Sequence, residues 1–247
     1  MNRIVIIGAS SGIGRLIALD YARRGWRVGV AARRYDMLKE IQSQFPDTVV
    51  CAAIDVTADD ATYQFKTLVD KLGGMDIVLY AAGCGWYNPQ LDHADQMRTI
   101  DVNVKGFTTI VDSAYAYFKN TGHGHIAAIT SIAGTRGIGV STSYAASKRY
   151  QWNYLQAVEQ LANHDGIKLL VSDIRPGFIR TDLLNRGPQH LPMTMNADYA
   201  AKQISRAIIR GKRVTVIDRR WAFVTALWRL IPRCLWRKLP TDKVFRM

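Results

Sequence analysis

Seven short runs of apolar residues recur along the chain, and longer segments with helical spacing separate them. The runs are continuous rather than alternating, which is typical of strands buried on both faces of a sheet. Within the longer segments, apolar residues return every three or four positions, as in amphipathic helices. The strands are predicted at residues 3–7, 26–34, 48–56, 75–83, 125–134, 167–177 and 213–218.

The alternation of strand and helix predicts an α/β fold of the doubly wound type, with a parallel sheet and helices on both faces. One predicted helix runs to about Lys119 and is expected to break near residues 104–106. A later one, residues 144–163, is long and continuous. We expect one domain over residues 1–217, followed by a tail at residues 218–247.

Charge is spread unevenly along the chain. With 247 residues, 48% hydrophobic and 21% charged, the composition is that of a globular protein with a substantial core. The net charge is +13, but residues 1–200 hold 20 basic and 18 acidic residues, whereas residues 201–247 hold 13 and 2. The body is therefore nearly neutral, and the basic tail requires an explanation of its own.

The three cysteines lie far apart, and they do not combine with the five histidines at metal-ligand spacing. This pattern predicts a reducing compartment, which we take to be the cytoplasm, and no structural metal. The opening MNRIVIIGAS has too short an apolar run for a signal peptide and lacks a cleavage site of small residues. We interpret it as a buried first strand.

A glycine-rich turn follows the first strand and opens the first helix. Glycines let a backbone turn tightly and approach a phosphate, while a helix N-terminus offers free N–H groups and a positive dipole end. The spacing is G-x-x-x-G-x-G rather than G-x-G-x-x-G, so the position of the turn carries the prediction of a nucleotide site. The predicted contacts are Gly8, Ser10, Ser11, Gly12, Ile13 and Gly14.

Two arginines stand at the end of the second strand. An acidic residue there usually holds the ribose 2′-hydroxyl of NAD, whereas an arginine suits the 2′-phosphate of NADP. Arg33 and Arg34 therefore predict NADP(H) over NAD(H), with a solvated arginine pair as the alternative. Asp55 and Val56, just after the third strand, are placed to contact the adenine.

Tyr144 and Lys148 lie four positions apart on the long helix, so their side chains share one face. A free tyrosine has a pKa of about 10, but a fixed cation one turn away favours the phenolate. We therefore expect Lys148 to lower the pKa of Tyr144, so that the phenol can exchange a proton with a substrate oxygen. Ser131, at the end of the fifth strand, is placed to hold that oxygen.

Together these features resemble the short-chain dehydrogenase/reductase family, and the arginine after the second strand resembles its NADP-preferring members. The resemblance covers the chain from about Arg3 to Val216 and implies a single Rossmann domain with a seven-stranded parallel sheet. It also implies hydride transfer between carbon 4 of a nicotinamide and a carbonyl or alcohol carbon. The motifs that carry it are Gly8-x-x-x-Gly12-x-Gly14, Ser131 and Tyr144-x-x-x-Lys148.

By this resemblance, Tyr144 is the general acid/base, Lys148 also holds the nicotinamide ribose, and Ser131 polarises the substrate carbonyl. Asn103 matches the family's fourth catalytic residue, which holds a water in a proton relay, and it explains the predicted helix break. The segment RPGFIRT matches the family's Pro-Gly-x-x-x-Thr, whose threonine binds the carboxamide. The further cofactor contacts implied are Ala82, Gly83, Tyr144, Lys148, Pro176, Gly177, Ile179 and Thr181.

Two positions depart from the family pattern. Ile7 stands where a threonine usually precedes the first glycine, and Tyr80-Ala81 stands where the family usually has two asparagines. The usual side chains mostly brace the sheet and the cofactor loop. The departures therefore bear on the cofactor pocket rather than on the catalytic set.

The segment 183–196 corresponds to the family's lid over the substrate. Its apolar side chains favour a bulky or apolar carbonyl or alcohol substrate, although any lid needs apolar residues to dock. Two alternatives stay open: the membrane-associated keto-reductase half of a two-enzyme epimerisation of a lipid-linked sugar, and an NADP-binding sensor without turnover. The side chains concerned are Leu183, Leu184, Leu191, Met193 and Met195, and we expect Trp86 and Tyr87 to face the same cleft.

The tail from Arg219 to Leu239 interleaves aromatic and basic residues, with Trp221, Trp228 and Trp236 on one helical stripe. A tryptophan face with basic flanks favours peripheral binding to an anionic membrane, here the inner face of the cell membrane. The alternatives are an extension of the lid or a subunit interface, and nucleic acid is the least favoured partner. The family resemblance also implies a homodimer or homotetramer.

Overall fold

The computed structural model describes residues 2–181 and 191–240. Its strands lie in one sheet in the order β3-β2-β1-β4-β5-β6-β7, and every neighbouring pair is parallel. The predicted fold class and strand number are thereby confirmed. The strands are β1 (Arg3–Ile7), β2 (Arg27–Ala32), β3 (Val49–Ala53), β4 (Ile77–Tyr80), β5 (His123–Ile129), β6 (Lys168–Pro176) and β7 (Val214–Ile217).

Helices cover both faces of the sheet. Buried side chains of α1, α2 and α7 pack on one face, and those of α3, α5 and α6 pack on the other. The predicted break before α5 is a π-helical turn at Asp101–Gly106. The helices are α1 (Gly12–Arg23), α2 (Tyr35–Gln44), α3 (Ala61–Leu72), α4 (His93–Ile100), α5 (Phe107–Thr121), α6 (Thr142–His164), α7 (Ala197–Ile209), α8 (Arg219–Leu230) and α9 (Arg233–Trp236).

The strand order reverses between β1 and β4. The chain builds outward from β1 through β2 to β3, then returns to the other side of β1 and continues through β4 to β7. β1 and β4 are paired up to Ile7 and Tyr80, and beyond that pair their connections leave in opposite directions. In sheets of this kind the crevice outside such a switch point is the usual place for a ligand.

The tail folds back onto the body through α8 and α9. Trp221 is 2% exposed and its ring contacts that of Phe178, with 5.3 Å between centroids. The three tryptophan rings follow one another edge to face, at 6.0 Å between Trp221 and Trp228 and 5.6 Å between Trp228 and Trp236. The tryptophan stripe therefore faces the protein, which differs from the membrane-surface interpretation of these three side chains and agrees with packing near the cleft.

Arg136, in the connection between β5 and α6, fixes the tail in place. Its guanidinium donates to the carbonyl oxygens of Trp228, Arg229 and Ile231 at 3.0, 2.8 and 2.6 Å. These carbonyls lie at the C-terminal end of α8, where helical partners run out and a cation is favoured. The indole N–H of Trp236 donates to the carbonyl of Gly137 at 2.8 Å, so the connection after β5 holds both tail helices.

Replacing Arg136 with methionine removes all three of these hydrogen bonds while keeping most of the aliphatic volume. We expect detachment of the tail to become easier by about 2 kcal/mol, which corresponds to roughly 30-fold faster tryptic cleavage within α8 and α9. The same substitution at Arg206, an exposed residue of α7, is the control. Equal cleavage rates in the Arg136→Met and Arg206→Met variants would show that the hydrogen bonds of Arg136 do not hold the tail in place.

Candidate active site

α6 carries the tyrosine and the lysine that the sequence places on one face. Lys148 Nζ lies 5.6 Å from the centroid of the Tyr144 ring, so the predicted pair is brought together. The ammonium group is buried, and it donates to the carbonyl oxygen of Ile129 and to Oε1 of Gln151, both at 3.1 Å. Ile129 is the last residue of β5, so the lysine ties the helix to the carboxyl end of a central strand.

Ser131 lies two residues beyond β5, on the same edge of the sheet. Its hydroxyl oxygen accepts the backbone N–H of Ala133 at 3.1 Å, which starts a short 3₁₀ helix at Ile132–Thr135. The Ser131 side chain also lies close enough to the phenol of Tyr144 to act on its pKa. The serine and the tyrosine therefore meet, as the sequence predicts, although 13 positions separate them.

The titration of this pair differs from the expectation. Burial is the largest influence on Tyr144 and raises its pKa; the nearby Ser131 side chain acts in the opposite direction and does not outweigh burial. Burial also lowers the pKa of Lys148, to about 8. The expected lowering of the Tyr144 pKa by Lys148 is absent because the low-dielectric surroundings disfavour the charged form of each group.

Asn103 lies in the π-helical turn and is fully buried. Its side-chain amide donates to the carbonyl of Cys84 at 2.8 Å and to the hydroxyl of Ser147 at 3.0 Å, while Oδ1 accepts the N–H of Cys84 at 3.0 Å. The asparagine therefore joins the connection after β4 to the helix that carries Tyr144. The π-helical geometry widens the turn at this point, where side chains from three elements converge.

Gln151 is a buried member of the site that the sequence analysis missed. Its Nε2 donates to the backbone carbonyl of Asn103 at 2.9 Å, and its Oε1 accepts from Lys148. One amide therefore links the lysine to the π-helical turn. The signal was available, because Gln151 follows Tyr144 by seven positions and Lys148 by three, on the same helix face.

A second missed residue is Gly85, which lies directly behind the tyrosine. A methyl group added at Gly85 would lie 2.4 Å from Cδ2 of Tyr144, so no larger side chain fits there without displacing the ring. The ordinary packing rules for strand and helix give no indication of this contact. It depends on the path of the connection after β4.

The glycine-rich turn closes tightly against the connection after β4. Gly8 and Gly12 have φ angles of +93° and +54°, which side chains rarely tolerate. A methyl group at Gly8 would lie 2.5 Å from the backbone nitrogen of Ala82, and one at Gly14 would lie 2.3 Å from the carbonyl oxygen of Gly8. The bare backbone opens the N-terminus of α1 toward the crevice, which is the arrangement that binds phosphate.

The two arginines after β2 have different partners. Arg34 Nη2 donates to the hydroxyl groups of Ser10 and Ser11, at 3.0 and 2.6 Å. Arg33 is exposed, and its charge acts on Asp55. Burial favours the neutral form of Asp55, but two hydrogen bonds from Thr57 together with Arg33 outweigh it and lower the pKa of that carboxyl. Arg34 is therefore the arginine held at the glycine-rich turn.

The connection after β6 completes the crevice. A methyl group at Gly12 would lie 3.7 Å from Cγ2 of Thr181, so this threonine stands beside the glycine-rich turn. Ile179 forms a parallel bridge with Met195, which ties the two ends of the intervening segment together. Leu191 and Met195 are buried, whereas Leu183 and Leu184 of the predicted lid lie outside the described residues.

Several predicted contacts occupy the same edge of the sheet. Gly83 stands beside Lys148 and Asn103, since a methyl group there would lie 3.5 Å from both side chains. Val56 is buried and fills the space beside Gly106, at the end of the π-helical turn. The departure at Tyr80 has a structural role, because its hydroxyl donates to the carbonyl of Val102 at 2.7 Å and braces that turn. Ile7, the other departure, is buried in the sheet.

Comparison with known proteins gives one family and many relatives. The model of the short chain dehydrogenase family matches residues 2–191. An uncharacterized oxidoreductase from Myxococcus xanthus is 30% identical over 237 residues, which cover 94% of this chain and 93% of the relative.

Two solved structures share the fold at lower identity. A short-chain dehydrogenase from Sphingobium yanoikuyae in complex with NADPH has a TM-score of 0.79 and 22% identity, covering 97% of this chain and 96% of that one. The bulky-bulky ketone specific alcohol dehydrogenase from Comamonas testosteroni has a TM-score of 0.75 and 22% identity, covering 97% and 99%.

The buried lysine leads to a test of the site that needs no substrate. The pKa of Lys148 is about 8 in the folded protein and 10.5 ordinarily, so the unfolded chain binds more protons between these values. The contribution of Lys148 to the free energy of unfolding should therefore rise with pH between these two values, by about 3 kcal/mol in total.

The measurement is urea denaturation of the wild type and the Lys148→Met variant from pH 7 to 11. The difference in unfolding free energy, wild type minus variant, should increase from pH 8 to 10.5. The same substitution at the exposed Lys66 of α3 is the control. A pH-independent difference for Lys148→Met would show that the ammonium group is not buried as described.

Proposed function

The chain belongs to the short-chain dehydrogenase family, and on that basis we propose that it is an NADP(H)-dependent oxidoreductase that acts on a carbonyl or secondary alcohol group. The observation that carries the proposal is the meeting of Ser131, Tyr144 and Lys148 at the carboxyl end of β5. These side chains lie beside the crevice that the glycine-rich turn opens.

The crevice fits a dinucleotide phosphate. The glycine-rich turn leaves the N-terminus of α1 free of side chains, and α1 has no acidic residue in its first turn. Arg34 with the hydroxyl groups of Ser10 and Ser11 offers a cation and two donors for a phosphate on the adenosine ribose. Thr181 on the opposite side and Gly83 beside Lys148 would flank the nicotinamide half. When bound, NADP(H) would supply or accept the hydride.

The raised pKa of Tyr144 suits the role of a proton donor. At neutral pH the phenol stays protonated, so it can donate its proton to the oxygen of a substrate carbonyl. Ser131, which lies beside the phenol, would hold that same oxygen. The positive charge of Lys148, 5.6 Å from the ring centroid, would stabilise the phenolate that remains after the transfer.

Asn103 and Gln151 would restore the proton. The backbone carbonyl of Asn103 accepts one hydrogen bond, from Gln151, and a carbonyl oxygen has a second lone pair that suits a water molecule. The family resemblance assigns the relay water to Asn103, and we propose this carbonyl as the atom that would hold it. The amide of Gln151 contacts both that carbonyl and Lys148. It would therefore keep the lysine at a fixed position relative to the relay water.

A bulky or apolar substrate fits the walls of the cleft. Leu191 and Met195 are buried at the end of the segment after β6, and Phe178 and Trp221 add aromatic rings at its start. The similarity to a dehydrogenase described as specific for bulky-bulky ketones supports the same substrate class. We propose that residues 1–217 form the catalytic domain and that the tail from residue 218 adds a wall to it.

The proton donor is tested by Tyr144→Phe, which removes only the hydroxyl group. Turnover of an apolar ketone should fall by about 10²- to 10⁴-fold, the usual contribution of a general acid. NADPH affinity should stay nearly unchanged, since the ring still fills its place. Tyr150→Phe, on the same helix, is the matched control; a Tyr144→Phe variant that keeps most of its rate would exclude Tyr144 as the donor.

Cofactor choice is tested by two separate alanine variants, measured as the ratio of the Kd values for NADH and NADPH. Arg34→Ala should lower that ratio by roughly 10- to 100-fold, as expected for loss of a charged hydrogen bond to phosphate. Arg33→Ala should change it less, because the charge of Arg33 acts on Asp55 and the glycine-rich turn is contacted by Arg34. An unchanged ratio in both variants would contradict the assignment of NADP(H).

A further inference from the structure

The side of α8 that faces away from the protein is apolar. Phe223, Leu227 and Leu230 follow one another at four and three positions, so they form one stripe along the helix. Their exposed fractions are 67%, 47% and 77%. We call these three side chains the outer face of the tail.

The outer face cannot turn inward, because the opposite side of α8 is already packed against the protein. Trp221 and Thr225 are buried, and Trp228 packs between two other indole rings. The hydrogen bonds from Arg136 to the end of the helix fix its rotation as well. The exposed leucines and phenylalanine are therefore held outward by the packing of the tryptophans.

The outer face is bordered by positive charge. Between residues 219 and 240 the sequence has six basic and no acidic residues. Arg219 and Arg220 stand at the start of α8, Arg229 near its end, and Arg233 at the start of α9, and all four are exposed. Of these, Arg220 is paired with Asp218 at 2.5 Å. An apolar stripe with basic residues along its borders is the pattern of a helix that lies in a membrane interface.

Either a second copy of the chain or a lipid surface could cover such a face, and the charge around it favours one of them. A second copy of the chain would bring a second set of basic residues against the first, and like charges disfavour such an interface. An anionic lipid surface supplies the opposite charge, and its acyl region accepts the leucine and phenylalanine side chains. We propose that the outer face of the tail docks the protein onto a bilayer that contains anionic lipids.

The geometry of docking is parallel to the bilayer surface. α8 has 12 residues and is about 18 Å long, well under the thickness of a hydrocarbon core. Within residues 2–181 and 191–240, no helix is long and apolar enough to cross a membrane. Phe223, Leu227 and Leu230 would enter the boundary between headgroups and acyl chains, while the inward tryptophans stay with the protein.

The test is flotation of the full-length protein with vesicles of phosphatidylcholine alone or with 30 mol% phosphatidylglycerol, about one anionic lipid in three. The protein should float with the anionic vesicles, and binding should weaken as salt is raised. The variant Phe223→Ser/Leu227→Ser/Leu230→Ser should lose flotation while it keeps its far-ultraviolet circular dichroism. The matched control places serine at Leu161, Ile209 and Val214, which are exposed apolar residues elsewhere on the surface.

A variant with fewer positive charges distinguishes docking onto anionic lipid from nonspecific hydrophobic adsorption. Arg219→Gln/Arg229→Gln/Arg233→Gln should bind anionic vesicles on the order of a hundredfold more weakly, since each basic residue near such a surface contributes about fivefold. Light scattering after gel filtration reports the oligomeric state of every variant. Wild-type protein that ignores anionic vesicles, or a serine variant whose assembly dissociates to monomers, would overturn the proposal in favour of a face with another occupant.

Discussion

A buried ammonium group is the constraint on which the site depends. Lys148 is 3% exposed, and its two hydrogen-bond acceptors come from different parts of the fold, the end of β5 and the side chain that reaches the π-helical turn. An unpaired cation in the interior carries a large desolvation cost, so these elements must keep their places relative to α6. The position of Tyr144 is thereby set by the need to provide hydrogen-bond acceptors for the ammonium group of Lys148. The same low dielectric favours the protonated form of the Tyr144 phenol.

Close contact between glycines and aromatic rings shapes the walls of the crevice. Gly85 lies against the ring of Tyr144, and Gly177 lies against that of Trp221, where an added methyl group would come within 2.4 and 2.3 Å. Aromatic side chains can close over the site only where the opposing backbone carries no side chain. Through Trp221, the packing of the tail is joined to that of the connection after β6.

Much of the fold was predictable from the sequence because periodicity and continuous apolar runs report burial directly. The pair Tyr144 and Lys148 was equally predictable, since helical spacing alone brings it together. Spacing could not give the side on which the tryptophans pack, because a stripe has the same period whether it meets protein or lipid. Nor could it distinguish Arg33 from Arg34, or give the direction of the Tyr144 pKa shift, since both depend on how the connections fold over the strand ends.

The contact between Gly177 and Trp221 has a consequence for biosynthesis. A chain is made from its N-terminus and its early parts begin to fold during synthesis, so the crevice around Tyr144 and Gly177 can form before Trp221 emerges from the ribosome. Until then one wall is open, and the apolar rings that line it, including Phe178, are accessible to chaperones. Completion of the wall is therefore coupled to emergence of the basic tail, and a nascent chain stalled before Trp221 would expose an apolar cleft that the finished protein covers.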